Sequence, residues 1–206
     1  MVRYLGPRRK IVNKLGNLPG LTQKVKRDQL NPKEIGDQKK VKASAYKIRL
    51  NEKQKLRYYY GITETQLIKY VKEARRRKGL TGFVLMQLLE MRLDNIIFRL
   101  QLAPTIPAAR QLISHGHILI NNKTVNIASF QCQPNDLISI VKREKIMNLI
   151  EKSLNHGSAV KDNSINDYLE FNSTTMIGKI HKLIDEQSFI FNINDILVVE
   201  YYSRLI

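Results

Sequence analysis

The chain is poor in cysteine, tryptophan and long apolar runs. Its single cysteine, Cys132, excludes an intramolecular disulfide framework and a zinc site built from several cysteines. We expect Cys132 to be a small buried hydrophobic side chain. No apolar run reaches the roughly 18 residues that a membrane helix needs. The first residues, MVRYLGPRRK, also lack the apolar core of a secretory signal. The sequence therefore predicts neither a membrane protein nor a secreted one.

Acidic residues are scarce where basic residues are most abundant. The chain holds 35 Lys and Arg against 18 Asp and Glu, a formal net charge of +17. Residues 1–78 contain 23 of the basic and 6 of the acidic residues, so residues 79–206, with 12 of each, are neutral. Self-repulsion makes such an asymmetry unfavourable for folding alone, and a polyanionic partner explains it. No strongly amphipathic basic helix opens the chain, which favours a nucleic acid over a membrane surface.

Residues 1–50 combine basic side chains with frequent Gly and Pro and show little apolar periodicity. They hold too few bulky apolar side chains to offset, by themselves, the entropy lost on ordering. Two interpretations stay open, namely a disordered basic tail and an extension that becomes ordered on RNA. The turn signals GPRR and LPGL favour the ordered extension.

A basic helical part with clear signals for helix ends follows. Residues 51–60 predict a short helix with a basic face. We expect most of its three adjacent tyrosines to pack inside the protein, and stacking on RNA bases is the alternative. Thr63 and Gln66 match a capping box that opens the next helix. Its last turn, residues 75–78 (RRRK), has more cations than the helix dipole requires, which indicates phosphate contacts. A mainly apolar helix over residues 83–91 then leads to the centre of the chain.

The centre of the chain, residues 92–126, predicts two short helices and a hairpin. The first helix breaks at Pro104, because Pro lacks an amide hydrogen and restricts the residue before it. Thr105 is a good N-cap for the second helix, which ends at Gly116. The pair Asn121-Asn122 tolerates the positive φ of a two-residue hairpin turn.

The remaining residues carry weaker signals. Residues 137–141 predict a strand and residues 144–154 a short helix, followed by a polar loop over residues 155–166. The apolar run at residues 195–202 predicts a strand that returns to pack on the body.

Nearly the whole chain resembles a known family. Residues 92–150 are similar to the RNA-binding domain of the small-subunit ribosomal protein S4 family in RLDNIIFRL, ARQLISHGHILIN and VNIASF. That domain also occurs in other RNA-binding proteins. The segments RYLGPR, EKQKLRYYYGITETQL, LLEMRLDN and ILVVEYYSR are similar to the ribosomal members themselves. The variants LGNLPGLTQK and APTIPAARQLISHGHILIN are similar to the plastid branch of the family.

The resemblance implies an α+β fold. We expect a mainly helical N-terminal body with an extended basic arm in residues 1–91. A small helix–turn–helix and β-hairpin RNA-binding module would occupy residues 92–152, and residues 153–206 would return to pack on the body. The resemblance implies no catalysis and no cofactor. It also implies no metal, since this chain lacks the cysteine cluster by which some bacterial members bind zinc.

The function implied is that of a structural constituent of the small ribosomal subunit. Such a protein binds small-subunit ribosomal RNA early, nucleates assembly of the subunit body and contributes to translational accuracy. The implied partners are that RNA and neighbouring small-subunit ribosomal proteins, with no membrane and no small-molecule substrate. The chain starts at the family's own first residues and contains 24 Ile and 16 Asn, as an AT-rich organellar genome would favour. We therefore expect a chloroplast location, with the bacterial cytoplasm as the alternative.

The candidate RNA contacts are basic and polar residues on the basic helices and at the bends of the module. In the basic part they are Arg3, Arg8, Arg9, Lys10, Arg49, Lys53, Lys55, Arg57, Arg75, Arg76, Arg77 and Lys78. In the module they are Arg92, Arg99, Arg110, His115, His117, Asn121 and Lys123. The three module arginines are predicted to grip phosphates as bidentate forks. Replacing Arg110 by Ala is predicted to weaken RNA binding without unfolding the protein.

Two other functions are considered from the residues alone. An RNA-modifying enzyme such as a pseudouridine synthase often carries the same module, but it needs a catalytic domain with a positioned carboxylate. A helix-turn-helix DNA-binding protein would fit the helix pair around Pro104, but no dimerisation element is evident. A metal set of His115, His117 and Cys132 is disfavoured, because histidines separated by one residue rarely converge without further ligands.

Overall fold

Eight helices and five short strands form the part of the chain that this computed structural model describes, residues 4–23, 44–141, 143–157, 168–172, 174–185, 189 and 193–203. The helices are α1 Arg8–Leu15, α2 Ala45–Tyr59, α3 Glu64–Arg76, α4 Thr81–Glu90, α5 Leu93–Arg99, α6 Ile106–Ser114, α7 Glu144–Gly157 and α8 Asp195–Ser203. The strands are β1 Ile118–Ile120, β2 Lys123–Thr124, β3 Leu137–Ile140, β4 Leu169–Asn172 and β5 Ile177–Ile180. The α+β class is confirmed.

Three predictions fall outside the described residues. They concern the RNA contact at Arg3, most of the basic extension (residues 24–43) and most of the polar loop (residues 158–167).

Helices α1 to α4 and α8 pack together, and we call this unit the body. Helix α3 opens with the predicted capping box, since the Thr63 hydroxyl accepts from the Gln66 amide and the Gln66 side chain accepts from the Thr63 amide. Leu67, Val71 and Ala74, spaced by four and three residues, form its buried face. Helix α4 is buried almost all round, so it forms the centre of the body.

Helices α5 and α6, the sheet and α7 enclose a second core, and we call this unit the module. The sheet is antiparallel in the order β2-β1-β3-β5-β4. Across β1 and β3, Ile118 pairs with Ile140 and Ile120 pairs with Ile138, and all four side chains are buried on the same face of the sheet. This register places the hairpin turn between β1 and β2 at one end of the module.

The turns of the module have the backbone geometry that the sequence predicted. At the start of α6 the Thr105 hydroxyl accepts from the Ala108 amide. Helix α6 is followed by Gly116 with φ 71°, and Asn121 and Asn122 have φ of 48° and 65° in the hairpin turn. These left-handed values are those that a tight two-residue hairpin requires, so the predicted helix–turn–hairpin order is confirmed.

The strand predicted at residues 195–202 is wrong, because these residues form α8. A short apolar run does not by itself distinguish a buried strand from a buried helix. The helix buries Val198 and Tyr202, four residues apart, against the body. Its first turn is capped by the Asn194 side chain, which accepts from the Leu197 amide at 3.2 Å.

Neither a disordered tail nor an extension that becomes ordered only on RNA describes residues 8–21, which are ordered by packing against the body. The helix α1 and the turn after it place four apolar side chains in the core of the body, Ile11, Leu15, Leu18 and Leu21, and Val12 is buried as well. The turn also reaches α6, since the Ile106 amide donates to the Gly20 carbonyl at 2.9 Å. A Cβ at Gly20 would lie 2.6 Å from the Tyr59 carbonyl oxygen, so only glycine allows this close approach.

The C-terminal residues contribute to both units. Strands β4 and β5 complete the sheet of the module, where Ile138 of β3 pairs with Gly178 of β5. Helix α8 then lies along α2 and α4 in the body. The chain therefore passes from the body to the module and back again, and each core contains residues from distant parts of the sequence.

Candidate nucleic-acid interface

The end of α3 carries a dense exposed cluster of positive charge, residues 75–78, which we call the α3 cluster. Arg75, Arg76 and Lys78 are exposed, and none of them has an acidic partner among the described residues. Arg77 forms an exposed i,i+4 pair with Glu73 at 3.0 Å, which contributes little to stability. The opposite face of α3 is buried in the body, so the helix that carries the α3 cluster is fixed in place.

A second basic surface lies on α1. Arg8, Arg9 and Lys10 are exposed, while Ile11 and Leu15 on the opposite face pack into the body. The predicted contacts in this segment therefore lie on an anchored helix and remain accessible to a phosphate backbone.

The basic residues of α2 are mostly engaged in ion pairs. Arg49 pairs with Glu200, Lys55 pairs with Glu52, and both Lys53 and Arg57 approach Glu64. The Lys53 ammonium lies 3.0 Å from Glu64, and the residue is only 4 % exposed.

The structure thus removes Lys53 from the accessible basic surface. Arg49, Lys55 and Arg57 keep partial exposure, with side chains 19 %, 31 % and 26 % accessible. Their guanidinium and ammonium groups are already paired with carboxylates of the protein, so they are weaker candidates than the α3 cluster.

The hairpin and the turn before it form a third polar surface, made by His115, His117, Asn121 and Lys123. His115, Asn121 and Lys123 are exposed, whereas His117 is half-buried. Burial, helped by the charge of Arg143 and by His115, lowers the pKa of His117 below its ordinary value, which makes it a neutral hydrogen-bonding group at neutral pH.

Asn121 has a structural task beside its predicted one. Its side-chain amide donates to the Asp136 carboxylate at 2.9 Å, and its carbonyl oxygen accepts from the Leu137 amide at 3.0 Å. The hairpin turn is therefore fixed onto the start of β3, which leaves Lys123 as the exposed cation at its tip.

Arg92 and Arg99, predicted to grip phosphates, do not reach the surface. Arg92 is 1 % exposed and donates twice to Asp94, at 3.0 and 2.8 Å. Arg99 is 5 % exposed and donates twice to Glu90, at 3.1 and 2.7 Å. Each guanidinium fork binds a carboxylate of the protein itself, so neither can present its fork to RNA. Neither residue belongs to the candidate interface.

The Arg110 guanidinium is also hydrogen-bonded to other groups of the protein. Its Nε donates to Asp94 at 2.7 Å, and its two terminal nitrogens donate to the carbonyls of Gly61 and Tyr60 at 2.6 and 2.7 Å. The side chain is 15 % exposed. The prediction of a phosphate fork at Arg110 is corrected on the same ground, because all three guanidinium nitrogens already have partners.

Several exposed cations were missed by the sequence prediction. Lys69 and Lys72 of α3 are exposed, and with Arg76 they have the three- and four-residue spacing of one helix face. Lys14 lies four residues after Lys10 on α1 and is exposed as well. Helical spacing was a signal that could have found all three, since it extends the two basic surfaces along their helices.

The described residues include neither a metal centre nor a reactive thiol. They contain no group of three or more His, Cys, Asp or Glu that could hold a metal ion. A cavity of about 250 Å³ is lined mainly by apolar groups and includes Cys132, whose thiol pKa is raised by burial and by the nearby carboxylates of Asp136 and Asp94. Such a thiol stays protonated and is a poor nucleophile. None of the helices in the described ranges is both long and apolar enough to span a bilayer.

Two family models together match most of the chain. The model of the ribosomal protein S4/S9 N-terminal domain matches residues 3–90, and the model of the S4 domain matches residues 91–138. The boundary between the two matches falls at the junction of α4 and α5, where the body passes into the module.

Curated relatives match along the whole length. The chain is 50 % identical over 204 residues to small ribosomal subunit protein uS4 of Nostoc punctiforme, with 99 % of both chains covered. It is 52 % identical over 205 residues to uS4c of Diphyscium foliosum and 53 % identical over 205 residues to uS4c of Anthoceros angustus, again with 99 % of both chains covered.

Proposed function

The chain belongs to the small ribosomal subunit protein uS4 family, and we propose that it is a structural component of the small ribosomal subunit that binds its ribosomal RNA. The relatives are named as ribosomal proteins, and the match to this chain covers 99 % of their length. The net charge of +17 suits a polyanionic partner. The family is one of structural ribosomal proteins, not of enzymes, and this chain needs no cofactor for that role.

The observation that carries the proposal is the set of exposed cations without acidic partners among the described residues. Their dense groups lie on α1 and α3 of the body, and Lys123 lies at the hairpin of the module, while isolated exposed cations such as Lys47, Lys145 and Lys179 lie elsewhere. Folded RNA is recognised largely through phosphates and 2′-hydroxyls, which such a surface can contact without reading a base sequence. The proposed contacts, which add the paired Arg77 and the two histidines to those cations, are Arg8, Arg9, Lys10, Lys14, Lys69, Lys72, Arg75, Arg76, Arg77, Lys78, His115, His117 and Lys123.

The finer role follows from the family resemblance. Binding by two basic surfaces on one protein would bring together RNA segments that are separate in sequence, which supports a part in nucleating assembly of the subunit body. Contact with neighbouring small-subunit ribosomal proteins, and through them an influence on translational accuracy, completes the proposal.

The proposed location is the small ribosomal subunit of a chloroplast. The relatives include chloroplast uS4c proteins at 52–53 % identity and a bacterial uS4 protein at 50 % identity. The abundance of Ile and Asn in the chain supports the plastid interpretation over the bacterial one.

An RNA-modifying enzyme is not supported. The relatives that match along the whole chain are named as ribosomal proteins, and the described residues contain no group of three or more His, Cys, Asp or Glu that could hold a metal ion. The two carboxylates at the junction of the body and the module, Glu90 and Asp94, are both neutralised by arginines.

Chemical footprinting on small-subunit ribosomal RNA tests the proposal. The wild-type chain is expected to protect a discrete set of nucleotides, with an affinity that falls steeply with salt. Replacing Arg75, Arg76 and Lys78 together by Ala should weaken binding and lower the salt slope by about 0.9 for each phosphate that the variant no longer neutralises. The matched control is Lys179→Ala, an exposed cation on β5 outside the proposed surfaces. Uniform protection, or equal losses in both variants, would refute the proposed surface.

A further inference from the structure

A buried polar joint connects the body to the module around the start of α5. The body contributes Tyr60, Gly61, Tyr70 and Glu90, and the module contributes Arg92, Asp94, Asn95, Arg99 and Arg110. Glu90 and Asp94 are both 0 % exposed. Charged groups are costly to bury unless they are paired and hydrogen-bonded, so a joint of this kind holds a single geometry.

One half of the joint is centred on Glu90, at the end of α4. Its carboxylate accepts from Arg99 and from the Asn95 amide, which belong to α5, and from the Tyr60 hydroxyl, which belongs to the body. The Asn95 amide also donates to the Glu90 carbonyl at 3.0 Å. Here the body supplies the anion and the module supplies the cation.

The other half is centred on Asp94, and here the direction is reversed. Asp94 of the module accepts from Arg92 and Arg110, while Arg92 also donates to the Tyr70 hydroxyl of α3 at 2.6 Å. Arg110 continues across the joint to the carbonyls of Tyr60 and Gly61. These two carbonyls follow α2 directly, where Gly61 has the left-handed φ of 59°.

Arg110 therefore differs from the other members of the joint. It lies on α6, near the middle of the module, and a single planar guanidinium binds α5 on one edge and the end of α2 on the other. A Cβ added at Gly61 would lie 3.0 Å from the Arg110 Nη1, so side chain and turn fit closely. Lysine has one point charge and cannot bind these three acceptors in one plane.

The proposed RNA surfaces are divided between the two units that this joint connects. The α3 cluster and α1 belong to the body, whereas His115, His117 and Lys123 belong to the module. When one RNA engages two surfaces, the second contact is intramolecular, and its effective concentration depends on how firmly the two surfaces are held relative to each other. A rigid joint also avoids losing conformational freedom upon binding.

We propose that Arg110 is a positioning residue for RNA binding, which fixes the angle between the body and the module through Asp94, Tyr60 and Gly61. It acts without touching the RNA. The inference rests on the proposed function, because it concerns how two surfaces of this protein engage one ribosomal RNA.

The variant Arg110→Met tests the proposal. It removes the guanidinium and keeps much of the apolar stem, while Asp94 retains the ion pair with Arg92 and is not left as an unpaired buried charge. Urea unfolding verifies that the variant is folded. Arg110→Lys keeps the charge and one ion pair to Asp94 but should not restore the contact with both carbonyls.

The first measurement is the distance between spin labels on the two units. The full chain carries nitroxides at Thr65→Cys on the body and Thr175→Cys on the module, both exposed positions, in a Cys132→Ala background. Double electron–electron resonance on the free protein should give a narrow distribution for the parent and a broadened one for Arg110→Met and Arg110→Lys. An unchanged distribution in both variants would overturn the proposal.

The second measurement is binding to two RNA probes, full-length small-subunit ribosomal RNA and a 4-nucleotide oligouridylate, which is chosen to contact one surface at a time. For Arg110→Met we expect a roughly 10- to 100-fold loss of affinity for the ribosomal RNA, since the effective concentration of the second surface falls. Affinity for the oligouridylate and the salt slope on ribosomal RNA should stay at their wild-type values.

The exposed residue Arg76 supplies the matched control. Arg76→Met should weaken binding to both probes and lower the salt slope by about 0.9, the value for one phosphate, without changing the spin-label distances. If Arg110→Met behaves in this way, Arg110 contacts RNA directly and the proposal is wrong. If the wild type shows no site-specific binding to ribosomal RNA, the proposed function fails and the role in RNA binding fails with it. The spin-label distances still report separately whether Arg110 fixes the angle.

Discussion

Replacing Arg99 by Met separates a structural role from an RNA-binding one at a position where sequence and structure point in different directions. Arg99 gives Glu90 two hydrogen bonds, and Glu90 is fully buried. Met keeps most of the apolar stem, so the variant mainly removes the cation. The carboxylate keeps its hydrogen bonds from Asn95 and Tyr60, but it loses its salt-bridge partner.

Breaking a buried ion pair by removing one partner typically costs about 3–5 kcal/mol, because an uncompensated charge is left behind. We therefore expect Arg99→Met to lower the free energy of unfolding by about 3 kcal/mol or more, with the two remaining hydrogen bonds limiting the loss. The double variant Glu90→Gln/Arg99→Met removes both charges. It should be more stable than the single variant by about 1 kcal/mol or more.

The assay is equilibrium urea unfolding followed by circular dichroism, with the free energy taken from linear extrapolation. The exposed residue Arg75 provides the control, since Arg75→Met should change stability by no more than about 0.5 kcal/mol while weakening RNA binding. If Arg99→Met left stability unchanged and lowered RNA affinity instead, the assignment of Arg99 to the buried joint would be refuted.

Three further predictions concern titratable groups. Native Cys132 should resist thiol reagents at pH 8 and react only after unfolding, because burial raises its pKa; stoichiometric labelling of the native protein would contradict this. RNA affinity should increase as pH falls from 7.5 to 5.5, because a nearby phosphate would raise the pKa of His117 from its lowered value in the free protein. The gain in affinity is complete below the pKa of His117 in the free protein and lost above its pKa in the complex. A His117→Gln variant should show a smaller pH dependence than the wild type. Burial opposes ionisation of Glu64, but hydrogen bonds from Tyr202 and Lys53 hold its pKa below the ordinary value. The contribution of Glu64 to the free energy of unfolding is therefore present above its pKa in the unfolded chain and lost as pH falls through its pKa in the folded protein. In urea unfolding from pH 6 to pH 3, Glu64→Gln should flatten that part of the dependence of stability on pH.

Local signals in the sequence predicted the module well. The Thr105 cap, the glycine after α6 and the Asn121-Asn122 turn each depend on the conformation of one or two residues, and a sequence states such preferences directly. The same holds for the capping box of α3. These features fix helix ends and turns without reference to the rest of the molecule.

Long-range pairing could not be predicted in this way. The chain offers exposed Arg75 and buried Arg99 in similar local settings, each in the last turn of a helix. What separates them is a carboxylate nine residues before Arg99, brought into contact only by the packing of α4 against α5. Neither the pattern of basic residues nor the family resemblance shows which carboxylates lie nearby, so both predict the module arginines as RNA contacts.

The helix α8 was missed for a related reason. Its apolar run is buried on the side that meets α2 and α4, but it also exposes Ile196, so the run shows neither helical nor strand alternation clearly. The contacts that select a helix, among them Arg49 with Glu200 and the Tyr202 hydroxyl with Glu64, join residues that are 151 and 138 positions apart.

Co-sedimentation with small ribosomal subunits tests the central claim most directly. The full chain, added to chloroplast small subunits depleted of their own copy, should sediment with them and remain bound after a wash at high salt. The triple variant at Arg75, Arg76 and Lys78 should be released at lower salt than the wild type, because fewer phosphates are neutralised. A wild-type chain that stayed in the supernatant, or that bound large and small subunits equally, would contradict the account.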